Sequence, residues 1–522
     1  MIYTIIAITF LGILCLLRRL SLSASKEILT PPALDTPRIN GPRLFGVRPG
    51  SPFLFRIAAT GIRPMTFRAE GLPPGLQVDG ESGIITGTVA AAGTYMIRLT
   101  AVNRLAEVSA RLEICCGEEI CLTPPMGWNS WYCWSEGVTD EHIRDAAAAM
   151  SEGGLADHGW SFINIDDCWQ GSRAGSFGAI QGNEKFPDMK GLTDYIHGMG
   201  LKAGIYSTPW MSSYAGFIGG SEPHAGYEAR ALSIEKRRQP GQIFGRYPRA
   251  LKQGLGAIGP RWHCDSDVKQ WAAWGFDYVK YDWKPNDTVT TEKLYHEIKN
   301  CSRDIVFSIS NAAPLNEGRE LSRLANCWRT TGDIADRWWS ISYIVLRQKK
   351  WLQYMSPGGF NDPDMLQVGS FGIPNRETGK VKKTRLLPVE QYSQISLWSI
   401  LGAPLILSCD LSRIDDFTLG LLTNDEVLAV NQDALSVAPR CISAGLLREV
   451  WLRALEDGST AACFFNRLPF RRRVKLDFKD QGLPNHCNVR DLWRQKDRGI
   501  FEKEVSLMVP GHGVVMVKLK KA

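Results

Sequence analysis

The feature that most limits what this chain can become is a recurrence. From Leu122 onward, apolar runs rich in β-branched residues alternate with helix-like stretches. Phe162–Ile165 leads to Asp166 and Asp167, and Leu201–Tyr206 follows the helical pattern of Leu192–Met199. Phe276–Asp282 follows Val268–Trp274, Ile305–Ser310 follows Glu292–Asn300, and Pro404–Ser408 follows Glu390–Leu401. Repeated strand–helix units build a parallel sheet, because each crossover must return the chain to the same edge of the next strand. Sustained over residues 121–436, they predict a (β/α)8 TIM barrel with insertions. Barrels of this kind place their chemistry at the C-terminal ends of the strands. Asp166, Asp167, Tyr206, Lys280, Asp282, Arg329 and Asp333 all fall at such ends.

The flanks have a different period. Residues 30–45 are rich in Pro and polar groups and read as a linker, and residues 36–116 read as a small all-β module. In the module Phe53–Ile57 and Tyr95–Val102 alternate apolar and polar, and Gly71, Pro73, Pro74, Gly75, Gly83 and Gly87 punctuate short strands. This stretch resembles the immunoglobulin-like module of bacterial extracellular enzymes. Residues 437–522 contain Val450–Ala454, Ala461–Phe465, Val474–Phe478 and Gly513–Leu519, which predict an antiparallel β-sandwich. The expected protein is therefore multidomain, with an N-terminal β-sandwich, a central barrel and a C-terminal β-sandwich. At 522 residues, one core is too few.

Composition excludes some functions. The net charge of +7 is mild for this length, and the one basic run, Arg471–Arg473, lies in a strand-like segment and reads as a solvated face. No basic face with a nucleic-acid-reading element is present, so no nucleic-acid partner is expected. The 17 Trp are suited to stacking on sugar C–H faces as well as to cores. Ile2–Leu17 is apolar and is followed by Arg18 and Arg19, so residues 1–25 read as a signal peptide or membrane anchor. An exported protein, periplasmic, envelope-bound or secreted, is expected. Among the 13 Cys, Cys133 and Cys168 are candidates for pairing, and no Cys-x-x-Cys spacing suggests zinc.

The residues at the strand ends suggest a reaction. Asp282 closes an apolar strand with Lys280 two residues earlier on the same face, where a cation favours the ionised carboxylate. Such a carboxylate suits a nucleophile. Asp333, in Cys327–Asp333, supplies a second carboxyl, and glycosidases need two. Seven motifs then stand in order: Pro124–Trp131, Asn164–Trp169, Gly204–Tyr206, Tyr278–Trp283, Trp328–Asp333, Gly359–Leu366 and Asn431–Asp433. Together they resemble glycoside hydrolase family 27, the α-galactosidase and α-N-acetylgalactosaminidase family. The resemblance implies Asp282 as nucleophile and Asp333 as acid/base in a retaining exo-hydrolase of terminal α-D-galactosyl residues. It further implies Trp128 as an aromatic wall, and Asp166 and Asp167 as the pair that binds the 4- and 6-hydroxyls. Tyr206 and Lys280 become pocket contacts, and Arg329 lies near the 2-substituent. Asp362 and Asp364 read as support, and no metal or cofactor is implied. The implied partner is an α-galactoside-containing oligosaccharide, polysaccharide or glycoconjugate.

Three departures bear on the substrate. Lys284 stands where animal-type members carry a Cys two residues after the nucleophile, and Tyr214 and Ala215 lie near the position of its partner, with no Cys. Ser310 and Ala313 stand where animal-type α-galactosidases carry Glu and a larger apolar residue, and the N-acetylgalactosaminidases carry Ser and Ala. An insertion over residues 223–263 is placed to shape a leaving-group subsite or to meet a neighbouring subunit, which leaves a homo-oligomer open. The same machinery also fits an α-N-acetylgalactosaminidase or a β-L-arabinopyranosidase. A non-catalytic carbohydrate-binding protein is the remote reading, opposed by the presence of both carboxyls.

Overall fold

The computed structural model describes residues 26–222, 257–371, 382–443, 445 and 447–522. Its centre is a sheet of eight strands, all parallel, running in chain order except that the last lies beside the first. The strands are β1 (Met126–Asn129), β2 (Phe162–Asn164), β3 (Lys202–Ser207), β4 (Tyr278–Asp282), β5 (Val306–Ser310), β6 (Cys327–Arg329), β7 (Phe360–Asp362) and β8 (Leu405–Leu407). The chain just past β7 bridges to β8 at Leu366 and Leu407, with Leu366 N–H donating to the Ile406 carbonyl at 2.8 Å, and this closes the barrel. Every residue of β5 is buried, which is why the strands read as unbroken apolar runs rather than as alternation. Close packing also fixes one glycine. A Cβ at Gly204 would stand 1.9 Å from Asn164 Oδ1, so β3 can lie against β2 only with glycine there.

Among the helices that join the barrel to the outer domains are α1 (Thr288–Asn300), α2 (Trp338–Gln348) and α3 (Pro388–Leu401). Helix α3 starts on a proline and stops at Gly402, whose φ of +60° is left-handed. Between Glu390 and Leu401 every residue of α3 is buried, because the helix is covered by the barrel on one side and by the C-terminal domain on the other.

The two outer domains attach differently. The N-terminal one packs a four-stranded sheet (Leu44–Val47, Thr66–Glu70, Gly93–Val102 and Glu107–Cys116) on a three-stranded one (Pro52–Arg56, Leu76–Val78 and Ile84–Thr88). The linker expectation needs correction here: Arg38–Ile39 pairs with Ala59–Thr60 and Leu44–Val47 pairs with the last strand, so the second half of residues 30–45 belongs to the sandwich. This domain has its own core around Phe53, Phe67, Ile97 and Leu112. It is held under the barrel by arginines. Arg48 donates to Asp304 at 2.6 Å and to the carbonyls of Lys299, Cys301 and Arg303 at the end of α1, a favourable place for a cation.

The C-terminal domain is a six-stranded antiparallel sheet backed by the Arg472–Asp477/Glu504–Val509 pair, as expected. It does not keep a separate core on its barrel side. Trp451, Phe465, Trp493 and Met516 belong to the same continuous apolar cluster as the barrel's Trp398 and Leu401. Arg453, 1% exposed, donates from Nη1 to the Val430 carbonyl at 2.9 Å and to the Ser399 carbonyl near the end of α3. Burial pulls this guanidinium down to about 10.

Residues 26–30 lie on the barrel, with the Leu29 N–H donating to Tyr392 Oη at 2.9 Å. Among the described residues no helix is long and apolar enough to cross a membrane. The signal or anchor at residues 1–25 and all but the end of the 223–263 insertion fall outside the described residues. Cys168 is a free thiol, so the expected Cys133–Cys168 pairing is not formed.

Candidate active site

Asp282 ends β4, in register with Ser310 at the end of β5. It is 7% exposed, and its Oδ1 is buried without a hydrogen-bond partner. Burial dominates its chemistry and pushes the carboxyl up to about 7, helped by the charges of Asp333 and Asp166 and opposed by Lys280 and Arg329. The sequence reading expected Lys280 to keep this carboxylate ionised. Lys280 instead gives its hydrogen bond to Asp166 Oδ2 at 2.7 Å, so its help to Asp282 is Coulombic only and burial wins.

Asp333 lies in the loop after β6 and is its opposite. Its side chain is 61% exposed, and Arg329 Nη2 donates to Oδ1 at 3.0 Å. What burial it has raises the carboxyl, but Arg329 outweighs that, with smaller help from Lys280 and Lys284, and the group is held below the ordinary carboxylate range. Arg329 itself is 4% exposed and also meets Asp364 Oδ2 at 3.0 Å, while its Nη1 reaches Ser310 Oγ at 3.5 Å.

The loop carrying Asp333 is fastened on three further sides. Ile334 N–H donates to Asp364 Oδ2 at 2.8 Å, Tyr132 Oη donates to the Ile334 carbonyl at 3.0 Å, and buried Asp336 takes the guanidinium of Arg385. The sequence reading missed Tyr132, Asp336 and Arg385, and it gave Asp364 only a supporting part. Tyr132 directly follows the Pro124–Trp131 motif, but nothing in the sequence shows that its hydroxyl meets a carbonyl on the β6 loop.

The other expected residues gather at the same end of the barrel. Asp166 accepts from Lys280 and from Asn129 Nδ2 at 2.8 Å. Asp167 accepts from Ala215 N–H at 2.9 Å, Cys168 N–H at 2.8 Å and Gln170 Nε2 at 3.0 Å, yet burial still pushes it up to about 6. Tyr206 Oη is buried without a partner, and Lys280 Nζ stands 5.5 Å from the centre of its ring. Trp128 is fully buried, its ring fixed by Nε1 donating to the Cys409 carbonyl at 2.7 Å. Ser310 and Ala313 are buried small residues beside Arg329, Ala313 through its N–H to the Arg329 carbonyl at 2.8 Å. Lys280, Ser310, Arg329, Asp362 and Asp364 line one small cavity of about 20 Å³ inside the barrel. Burial pushes Asp362 there up to about 6.

Strain collects at the same end. Cys168, Asn311, Ala312 and Asp364 follow β2, β5 and β7 with φ values of 88°, 86°, 65° and 78°. Left-handed backbone at residues other than glycine costs about 1–2 kcal/mol each, and such costs concentrate where a site must be held in one shape. Tyr214, near one half of the missing cysteine pair, accepts at its Oη from Asn311 Nδ2 at 2.7 Å, which ties the loop after β3 to the loop after β5. Lys284, two residues past Asp282, is exposed. Among the described residues no group of three His, Cys, Asp or Glu side chains is placed to hold a metal ion.

The family model for alpha galactosidase A matches residues 123–233 and 250–433, more than half of the chain. The chain belongs to the alpha galactosidase A family, and it is a glycoside hydrolase. Within that family, the alpha-galactosidase of Cyamopsis tetragonoloba is 33% identical over 405 residues, 76% of this chain and 86% of that one. A Bacteroides fragilis crystal structure with a provisional alpha-galactosidase/melibiase assignment matches with a TM-score of 0.79 at 30% identity, over 95% of this chain and 100% of that one. A family 27 β-L-arabinopyranosidase from Geobacillus stearothermophilus, solved with arabinose, matches with a TM-score of 0.63 at 29% identity, over 77% of this chain and 97% of that one. Separate family models match the flanks, an alpha galactosidase C-terminal beta sandwich domain at residues 447–519 and an Ig domain at residues 36–114.

Proposed function

We propose that this family member removes terminal α-linked D-galactosyl units with retention, Asp282 acting as nucleophile and Asp333 as acid/base. The observation that carries the reading is the pair itself. Two carboxyls stand at the mouth, after β4 and β6 with β5 between them, and Asp282 feels the charge of Asp333; Asp282 is buried with an unpartnered oxygen and Asp333 is exposed at the rim. A nucleophile belongs deep, under the anomeric carbon, and an acid/base belongs where the leaving group departs. Their acidities stand in reverse of those roles, and binding corrects both. A sugar hydroxyl donating to Asp282 stabilises its charged form, while a leaving group covering Asp333 removes water from it and raises it.

The double displacement then follows. Asp333 gives its proton to the glycosidic oxygen as Asp282 attacks the anomeric carbon, and a water deprotonated by Asp333 releases the sugar from Asp282. Asp166, Asp167, Tyr206 and Lys280 grip the hydroxyls, and Trp128 walls the apolar sugar face. The domain limits 36–116, 121–436 and 437–522 complete this reading, with residues 1–25 directing export.

Ser310 and Ala313 favour a second reading, an α-N-acetylgalactosaminidase, since both are small where the 2-substituent would lie. Hydrolysis of aryl α-galactoside and aryl α-N-acetylgalactosaminide by wild type and Asp282→Ala separates the two. Turnover of the galactoside by wild type alone supports the main reading. A strong preference for the acetamido sugar transfers it to the second. Turnover of a β-L-arabinopyranoside alone would sink both.

A further inference from the structure

Helix α2 presents an apolar stripe to solvent. Trp339, Tyr343 and Leu346 stand at i, i+4 and i+7 and are 67%, 53% and 52% exposed. Each successive pair is about one turn apart, so the two rings follow one another along a single face. The helix buries Ile341, Ile344 and Val345 on its other side, so the stripe is surplus to the fold. Exposed aromatics of this size, side by side on one rigid element, mark a binding surface rather than chance.

The surroundings say what kind. Arg337 and Lys350 are exposed at the two ends of α2, with Arg347 half-buried between them, and the helix itself carries no acidic residue. Lys382 and Lys383 are exposed on the segment that leads to Arg385, the partner of Asp336 just before the helix. On its flank, Arg467 Nη1 donates to the Ser342 carbonyl and to Ser342 Oγ at 2.7 Å, which joins α2 to the C-terminal domain just where Phe470, 40% exposed, emerges under Arg472 at 4.1 Å. Arg471, Arg472 and Arg473 are all exposed there. The acidic side chains packed against this region are already matched: Asp336 by Arg385, and Glu449 by Lys349 and Arg467. The surface therefore offers flat rings among unneutralised cations.

We infer that the exposed face of α2, continued onto Phe470 and Arg471–Arg473, binds an anionic glycan chain that bears sulfate or carboxylate groups, separately from the sugar pocket. Rings stack on sugar faces, and the arginine forks take the anionic groups, a division of labour that suits both chemistries. A second copy of this chain is a poor occupant. A two-fold contact brings each patch onto itself, and this one would set arginine against arginine. The helix starts five residues after Asp333, so the track runs from the edge of the catalytic loop outward. The inference rests on family membership as a glycosidase, not on which sugar is removed.

The test is affinity electrophoresis of the full chain through gels containing carrageenan as the sulfated galactan, neutral galactomannan or DNA, at about 0.1 M salt, where charges beyond some 10 Å are screened. The expected result is retardation by carrageenan and not by galactomannan or DNA. In Trp339→Ala/Tyr343→Ala the dissociation constant should rise about tenfold or more, the scale of lost aromatic anchors. Trp339→Phe/Tyr343→Phe should restore most of it. Turnover of a small aryl α-glycoside should be unchanged by either pair, since neither side chain touches the pocket. Retardation that survives the alanine pair, equal retention by DNA, transfer of the effect to phosphatidylglycerol vesicles, or loss of a dimer in sedimentation would each overturn the proposal. Failure of the galactoside assignment would show in the small-substrate assay and leave the gel result standing.

Discussion

Two aspartates five residues apart show how differently the two ends of this barrel are built. Asp277 precedes β4 at the base, and Asp282 closes it at the mouth. Both are buried. Burial alone would raise both, but Asp277 accepts from His197, Arg303 and the Ala203 N–H and ends at about 2. Asp282 has no such donors on Oδ1 and ends at about 7. The same contrast runs around each end. At the base, Arg48 finds four acceptors, whereas at the mouth Tyr206 Oη, Asp282 Oδ1, Arg329 Nε and Thr331 Oγ1 have none. The left-handed residues 168, 311, 312 and 364 are at the mouth too. The base ties its polar groups to protein partners, and the mouth leaves several of its own without one.

The contrast breaks most visibly at Asp282. Asp282→Asn should lower kcat/KM by ~10⁴-fold or more, as removal of a nucleophile does. It should also stabilise the fold at pH 8. The folded pKa is raised, so wild-type stability is full below the unfolded value of about 3.9 and falls as pH climbs to about 7. Asparagine escapes that loss, by an amount of order 3 kcal/mol at pH 8 and near zero at pH 4. Thermal unfolding at the two pH values checks this, and an equal effect at both would refute it.

Asp277→Asn should do the reverse. It should cost about 3–5 kcal/mol, because Arg303 is left buried without its charge partner, while folded enzyme keeps its turnover. The folded pKa of Asp277 is depressed, so its contribution is present above about 3.9 and disappears as pH falls toward 2. The variant's deficit should therefore shrink in acid. A deficit that stays constant from pH 7 to pH 3 would show that packing, not charge, is lost.

Arg385→Ala sharpens the comparison within the mouth, since Arg385 fixes Asp336 in the loop of Asp333, the proposed acid/base. It should reduce hydrolysis of glycosides with alkyl leaving groups about tenfold and leave dinitrophenyl glycosides nearly untouched, because only the former need a proton in the transition state. Equal losses on both would assign Arg385 a merely structural part.

The smallest effect concerns pH. The proposed mechanism needs one proton on the Asp282/Asp333 pair, so kcat/KM should be bell-shaped, with its alkaline limb near pH 7, where the pair loses its last proton. Lys284 helps hold Asp333 down. Lys284→Met should move the acidic limb upward by less than about one unit. A downward move would contradict the assignment.

The barrel was legible because its strands are buried on both faces and therefore read as apolar runs ending in polar residues. Phe276–Asp282 became Tyr278–Asp282, and Ile305–Ser310 became Val306–Ser310. Strands β6 and β7, of three residues each, are too short to show a period, and only their motifs marked them. Site residues near a strand end were legible for the same reason. What the sequence hid was pairing across distance. Tyr132 meets Ile334 and Arg385 meets Asp336 from other loops, and no local pattern encodes either. The acidity of Asp282 was misjudged because Lys280 shares its face in sequence while its hydrogen bond goes to Asp166, just past β2.

The single apolar core that the barrel shares with the C-terminal sheet has a consequence for how such enzymes can be rearranged. The Ig domain folds around its own centre and is tied to the barrel by arginines such as Arg48 and Arg56, so a gene can gain or drop it at modest loss. The C-terminal sheet has no such freedom. Cutting the chain before it would strip Trp398 and Leu401 of cover and leave the ends of two helices without Arg453. Recombination can treat the first domain as an interchangeable part, while the other two travel as one heritable unit.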